Sequence, residues 1–348
     1  MTRTRRGRLV RLAIAQAAPV FLDGPRTVAK AVALTGAAGR RGVSVLAFPE
    51  TFVPGYPFFV DEGVFGRFDH APSKEAWRLL LANSIEIPSA ATRALGAAAR
   101  RARCAVAIGV NERSGRSVFN ALLVFDAAGR LAVHHRKLVP THGERLVWKP
   151  GDARGLVLAD TAAGPLGGLV CWEHWMPAPR QALHDAGERV HAALWPQVRD
   201  AHALASRHYA FEGRAFVLAA GAVLRRSDLR GGVDWSTLAP HAPDPILAGG
   251  SVIYGPRGAV LAGPAGDEET LLVADADPDD ADREAIDLDA AGHYSRPDLF
   301  RLEIDRGRED RVTRRGEAAP PSSGGRSRKR RGVRRARSRR ASRRPRRR

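Results

Sequence analysis

The segment Leu166-Gly167-Gly168-Leu169-Val170-Cys171-Trp172-Glu173-His174-Trp175-Met176-Pro177 passes from an unbroken apolar run into a polar, aromatic turn, with a further proline at 179. A short apolar run bounded by turn residues reads as a fully buried strand. Proline suits the first turn of a helix, where its fixed φ fits and its missing N–H leaves no bond unmade. The segment therefore predicts a strand, a bend and then a helix from about Pro179 to a stop at Gly187, with Cys171 at the bend. Free backbone N–H groups and a positive helix end there are expected to lower the thiol pKa and to hold a developing anion. The same position equally suits a small buried core side chain.

The same alternation extends in both directions. Upstream, Val10–Ala15, Val43–Phe48, Cys104–Val110 and Ala121–Phe125 read as strands. Thr27–Arg40 (closed by Gly42), Lys74–Asn83 and Ala90–Arg103 read as helices, and Ala128-Gly129-Arg130 as a turn. Downstream, His191–Trp195 and Phe216–Ala220 are predicted strands on either side of a helix at Ala201–Arg214. A hairpin follows at Ser251–Tyr254 and Ala259–Ala262, and a last strand at Leu271–Ala276. Alternating strands and helices with late hairpins predict an α/β fold, a mixed sheet packed between helices.

Two more residues stand out against this frame. Glu50 ends the apolar run Val43-Ser44-Val45-Leu46-Ala47-Phe48-Pro49 and is braced by Pro49, Pro54 and Pro57. A carboxylate there is either placed for proton transfer in a dry pocket or is an ordinary solvent-facing strand end. Lys137 is one of only 5 lysines in a chain with 51 arginines. Its retention beside Arg136 points to a need for a compact ammonium, or to a surface ion pair.

Charge divides the chain. Residues 306–348 hold 20 basic and 3 acidic residues, a net of +17, whereas residues 1–305 hold 36 and 34, a net of +2. The body is near neutral and the isoelectric point of 11.2 belongs to the tail, which excludes a uniformly basic nucleic-acid-binding domain. Three segments follow: a basic arm at 1–8, a main domain at 9–305 and a tail at 306–348. The tail's Arg/Ser/Pro/Gly composition predicts disorder. Two cysteines, Cys104 and Cys171, exclude a disulfide scaffold and point to a reducing compartment. No apolar run approaches the ~20 residues that span a bilayer. Arg11 and Gln16 interrupt the apolar stretch that follows the first arginines, so the start reads as a buried strand rather than a secretory signal, and a cytoplasmic location is expected.

Other chemistries find little support. His174, His184, His191, His202 and His208 crowd the second half, but no pair has the i, i+4 spacing of a helical metal site and no His-Glu-x-x-His occurs, so no metal is expected. There is no Gly-x-Ser-x-Gly elbow and no phosphate-cradling glycine loop. Tyr56, Phe58, Phe59, Trp172 and Trp175 are candidates for the wall of a substrate pocket, with core packing the alternative for Trp175.

Three segments, taken in order, resemble the nitrilase (carbon–nitrogen hydrolase) superfamily: Phe48-Pro49-Glu50-Thr51-Phe52-Val53-Pro54-Gly55-Tyr56-Pro57, His135-Arg136-Lys137-Leu138-Val139-Pro140-Thr141 and Gly168-Leu169-Val170-Cys171-Trp172-Glu173. The resemblance runs from about Leu9 to Asp305 and includes Gly292-His293-Tyr294-Ser295-Arg296-Pro297-Asp298. It implies an αββα sandwich and a Glu–Lys–Cys triad, with Glu50 as general base, Lys137 as electrostatic stabiliser and Cys171 as nucleophile. Glu144 corresponds to a second glutamate lining the site, and Trp172 would offer its backbone N–H. Cys-Trp-Glu, Trp148 and the late Gly-His-Tyr-Ser-Arg-Pro-Asp resemble the nitrilase branch. The implied reaction is cofactor-independent hydrolysis of a nitrile to an acid and ammonia, in a homo-oligomer. An aliphatic amidase or a cyanide-hydrolysing enzyme is the alternative within the superfamily. The Arg-rich tail departs from the family pattern, and nucleic-acid or other polyanion binding through it is the alternative of a different class.

Overall fold

The structure is a computed structural model and describes residues 9–229 and 231–307. The arm at 1–8 and residues 308–348 of the tail, with the disorder expected there, lie outside the described residues. The body forms one compact unit ending at Gly307.

Strands β1 (Val10–Gln16), β2 (Val45–Ala47), β3 (Ala105–Ser114), β4 (Ser117–Phe125) and β5 (Leu131–Arg136) lie side by side in chain order. The first three are parallel and the last two antiparallel. A second sheet begins with parallel β6 (Leu166–Val170), β7 (Val190–Leu194) and β8 (Phe216–Ala220). After the short pair β9 (Val223–Leu224) and β10 (Leu247–Ala248), the strands β11 (Val252–Tyr254) and β12 (Val260–Ala262) extend the second sheet beyond β8. Finally β13 (Thr270–Ala276) returns antiparallel to β1 and completes the first sheet.

The helices are α1 (Gly24–Arg40), α2 (Ala71–Asn83), α3 (Ala90–Ala102), α4 (Pro177–Asp185), α5 (Asp200–Gly213), α6 (Trp235–Leu238) and α7 (Asp279–Glu284). Sequence explains α1 locally. Asp23 caps it by accepting the Arg26 N–H at 3.0 Å, and Pro25 occupies the first turn. Val28, Ala31, Thr35 and Ala38 recur at helical spacing and are buried, together with Gly24 and Thr27 in its first turn.

Strand alternation then produces the layers. Along β1, Ala13 and Ala15 face α1 and α3, whereas Leu12 and Ile14 face the second sheet. Leu123 and Leu122 of β4 divide in the same way. A fully buried leucine is worth about 2 kcal/mol, so the register of each strand is strongly specified. Helices α4 and α5 cover the far face of the second sheet, giving the αββα order. The two inner faces meet where β1 lies against β8 and β4 against β6.

Element limits depart from the sequence reading in ways hydrogen bonds explain. β2 is shorter than Val43–Phe48 because the Val43 N–H closes the end of α1 on Ala38 rather than joining the ladder. β3 and β4 run past Val110 and start before Ala121, pairing Asn111 with Asn120 and turning at Gly115. Asn111, Glu112 and Asn120 are polar yet buried in the ladder, so apolar runs alone undercount both strands.

Candidate active site

Glu50 lies three residues beyond β2, Lys137 immediately beyond β5 and Cys171 immediately beyond β6. Cys171 itself, the neighbour of Glu50 and the first residue of the turn that carries Glu144 have a strained backbone. Thr51, His142 and Cys171 have φ of 44°, 43° and 54°, in the left-handed region that non-glycine residues avoid. Such strain persists only where the surroundings over-determine it, and it gathers at functional sites.

The Glu50 segment is held from both sheets. Its N–H donates to the Trp195 carbonyl at 3.2 Å, and Pro49 accepts the Gly109 N–H at 3.2 Å. Gly109 has to be glycine, since a Cβ there would stand 2.3 Å from the Thr51 nitrogen and 2.4 Å from the Pro49 oxygen. The carboxylate is buried. Its Oε1 accepts from Asn120 Nδ2 at 2.6 Å and from Lys137 Nζ at 3.2 Å. Its Oε2 is buried with no hydrogen-bond partner among the described residues.

Lys137 is equally buried, and its ammonium donates to Glu144 Oε2 at 2.6 Å. Glu144 sits in a tight turn at His142–Leu146 and also accepts the Thr141 N–H at 2.7 Å and the Tyr56 hydroxyl at 3.2 Å. One ammonium thus faces two carboxylates. Burial pushes Glu50 up to about 7, against the pull of Lys137 and with the push of Glu144. The Lys137 pKa is raised: burial opposes this, but Glu50, Cys171 and Glu144 outweigh it.

Cys171 opens a 3-10 turn, Cys171–Trp175, and α4 begins at Pro177, two residues before the start expected from sequence. The bend is therefore a 3-10 turn, and the expected depression of the thiol pKa is corrected. Burial first, then the negative charges of Glu50 and Glu144, push the thiol well above its ordinary value; Lys137 and the Trp172 N–H pull the other way. At rest Cys171 is a thiol, which needs a base to become a thiolate. Cys171 Sγ, a Glu50 oxygen and a Glu144 oxygen lie within 4.8 Å of one another, so that base is at hand. Such a group could hold a cation, but the Lys137 ammonium already supplies positive charge to both carboxylates.

The lysine and cysteine segments are joined through Glu173. Its Oε1 accepts the Leu138 N–H at 2.7 Å, its Oε2 accepts the Val170 N–H at 2.7 Å, and His135 Nε2 lies 3.0 Å from Oε2. Burial alone would raise this carboxyl, but His135 and the two N–H groups hold it below the usual carboxylate range.

The sequence profile of the carbon-nitrogen hydrolase family matches residues 11–284. The chain belongs to that family. Within it, the chain falls in the nitrilase branch. It is 38% identical over 296 residues to an aliphatic nitrilase of Sinorhizobium fredii (strain HH103), covering 85% of this chain and 95% of the relative. It is 40% identical over 308 residues to "Nitrilase 2" of an unknown prokaryotic organism (87% and 95%). It is 37% identical over 296 residues to a bifunctional nitrilase/nitrile hydratase of Nicotiana tabacum (84% and 85%). Among solved structures, a carbon-nitrogen hydrolase from Helicobacter pylori G27 superposes with a TM-score of 0.63 at 18% identity, over 84% of this chain and 97% of that one.

In this carbon–nitrogen hydrolase the cysteine and Glu144 border a cavity of about 380 Å³. Tyr56, Phe58, Trp172 and Ile246 give it apolar walls, and Asp61, His142 and Gln197 add polar groups. Trp175, a pocket candidate from sequence, is not in this wall; it is partly exposed at the end of the 3-10 turn. Phe59 is in the core instead. Sequence reading missed Asn120, whose signal was a polar residue inside the apolar run Val118–Phe125. It also gave Glu173 no role of its own, because its partners Leu138 and His135 are distant in sequence and their approach depends on the fold.

Proposed function

We propose that Cys171, Glu50 and Lys137 carry out hydrolysis of a nitrile to a carboxylic acid and ammonia, R–CN + 2 H₂O → R–COOH + NH₃. The observation that carries this reading is the buried cluster in which the thiol lies within 4.8 Å of Glu50 and Glu144 while Lys137 Nζ bonds both carboxylates. Glu50, titrating near 7, takes the Cys171 proton as sulfur attacks the nitrile carbon, then passes that proton to nitrogen, forming a thioimidate. It next takes a proton from water as water attacks the thioimidate carbon. Returning that proton to nitrogen gives an amine, and carrying the hydroxyl proton to the same nitrogen as the carbonyl forms expels ammonia and leaves a thioester. A second water, activated in the same way, releases the acid and restores the thiol. Charge on the tetrahedral states is held by the Lys137 ammonium and the Trp172 N–H. Glu144 orients Lys137 and so acts through it.

A cavity of about 380 Å³ lies at the small end of ligand pockets. With the aliphatic nitrilase relative, this supports a short aliphatic nitrile as substrate. The bifunctional tobacco relative favours a second outcome at one step: expelling the thiolate instead of ammonia from the tetrahedral state releases an amide. Ammonia, acid and amide measured against aliphatic and aromatic nitriles, cyanide and matched amides test both. Turnover of amides alone would move the protein to an amidase reading with the same three residues.

Among the described residues no helix is long and apolar enough to cross a membrane. A cytoplasmic location and a homo-oligomer complete the proposal. Exposed Trp175, Leu204 and Phe211 beside α4 and on α5 support self-association, which light scattering tests. Polyanion binding is assigned only to the tail, and its test is salt-dependent retention that disappears on truncation.

A further inference from the structure

A second set of titratable side chains is buried behind the cavity, between the second sheet and helices α4 and α5, and none of it lines the cavity. His174 Nδ1 is 2.7 Å from the Cys171 carbonyl oxygen. His174 Nε2 is 3.0 Å from His191 Nε2, and His191 Nδ1 is 2.8 Å from Glu188 Oε1. The Tyr209 hydroxyl donates to Glu188 Oε2. Glu188 reaches this place because Gly167 has no side chain; a Cβ there would lie 2.1 Å from Oε1.

The direction of these bonds can be worked out from the end that has no choice. A carbonyl oxygen only accepts, so His174 carries its proton on Nδ1. Burial keeps His174 neutral, its pKa lowered to about 3, so its Nε2 is a bare acceptor. His191 Nε2 must then be the donor in the next bond. Burial also lowers His191 well below the ordinary imidazole value, leaving its Nδ1 bare. The remaining proton therefore sits on Glu188 Oε1. Burial agrees, raising that carboxyl to about 8 even though His184, Tyr209 and the Gly167 N–H favour the charged form.

We propose that Glu188 is a neutral carboxylic acid at the head of a one-directional chain, Glu188 to His191 to His174 to the Cys171 carbonyl, and that this chain holds the nucleophile in its strained backbone conformation. Glu188 is thus a positioning residue, and the inference rests on Cys171 as nucleophile. The remaining groups around the chain are themselves paired. From α4 and α5, Arg180 and His184 bond Glu212, at 2.8 and 3.4 Å. From β5 and the cysteine turn, His135 and Glu173 bond each other. Ionisation of Glu188 removes the first donor. His191 would have to move its proton to Nδ1, leaving two bare nitrogens 3.0 Å apart; relieving that clash by moving the His174 proton to Nε2 strips the Cys171 carbonyl of its anchor.

E188Q and E188L test this. Glutamine offers an N–H to His191 and an oxygen to Tyr209, so it reproduces the neutral acid and cannot ionise; leucine supplies neither. The folded pKa of Glu188 lies above its unfolded value of 4.5, so its contribution to stability is full below pH 4.5 and is lost as pH rises through about 8. The melting temperature of E188Q relative to wild type should therefore rise between those pH values. In turnover, wild-type kcat should decline on the alkaline side with a midpoint near 8. E188Q should keep the neutral-pH rate and lose that decline, and E188L should fall about 10-fold or more in kcat with little change in KM. The proposal is overturned if E188Q melts below wild type at neutral pH, as replacing a carboxylate would require, or if it retains the alkaline decline. Melting needs no turnover, so it stands apart from any failure of the nitrile reading.

Discussion

Lys137 Nζ lies closer to Glu144 (2.6 Å) than to Glu50 (3.2 Å). Glu144 fixes the ammonium, and Glu50 is left with one oxygen bonded and one without a partner among the described residues. Removing either the cation or its anchor therefore disturbs different things. Lys137→Met should lower kcat by about 10²–10³-fold, the scale of losing a preorganised donor to a developing anion. Glu144→Gln keeps shape and part of the bonding and should lose less. A Lys137 variant retaining wild-type kcat would remove the electrostatic role.

Glu50 must be ionised to accept a proton, and burial places its titration near 7. The rate should accordingly rise with pH through about 7. Asn120 Nδ2 steadies the charged form at 2.6 Å, so Asn120→Leu should move this rise to higher pH and lower kcat at pH 7 by about 10-fold, the scale of one charge-assisted hydrogen bond. A kcat–pH profile indistinguishable from wild type would contradict the assignment.

Glu173 ties the lysine and cysteine segments together by accepting from Leu138, Val170 and His135. Its folded pKa is lowered, so it contributes stability above its unfolded value of 4.5 that is lost as pH falls through the folded value. Glu173→Gln turns one acceptor into a donor facing a donor and should cost about 2–3 kcal/mol. Chemical denaturation at pH 7 measures the loss, and the difference from wild type should shrink below pH 4.5.

Gly109→Ala places a methyl group against the backbone of residues 49–51. Overpacking of this kind costs about 1–3 kcal/mol, and here it also displaces Glu50, the proposed base. Both melting temperature and kcat should fall, whereas KM should change less.

Removing Arg308–Arg348 keeps Arg306 in its bond to the Leu156 carbonyl at 3.1 Å. Nitrile hydrolysis should survive that truncation within a factor of two or so, consistent with the near-neutral body carrying the chemistry. Loss of turnover on truncation would give the tail a part in the enzyme.

The alternation of apolar runs was enough to anticipate layered α/β architecture, and β6 and β8 match their predicted limits residue for residue. Glu50 and Cys171 could be named because each follows such a run, and Lys137 because lysine is rare in this chain. The fold shows what the runs hide. Asn120 is a buried polar residue whose partner is 70 positions away. Glu188 and His174 become meaningful only when α4 and β7 stack them behind the cysteine. The thiol pKa was misread because local N–H groups and a helix end were weighed without the burial and the two carboxylates that only the tertiary structure supplies.

The most direct test of the central claim is to acid-quench the enzyme during turnover of a short aliphatic nitrile and locate the covalent adduct by peptide mass spectrometry. An acyl or imidoyl group on the Cys171 peptide, with adduct and ammonia release both absent in Cys171→Ala, is the predicted result. Undiminished ammonia release by Cys171→Ala, or an adduct on another residue, would contradict it.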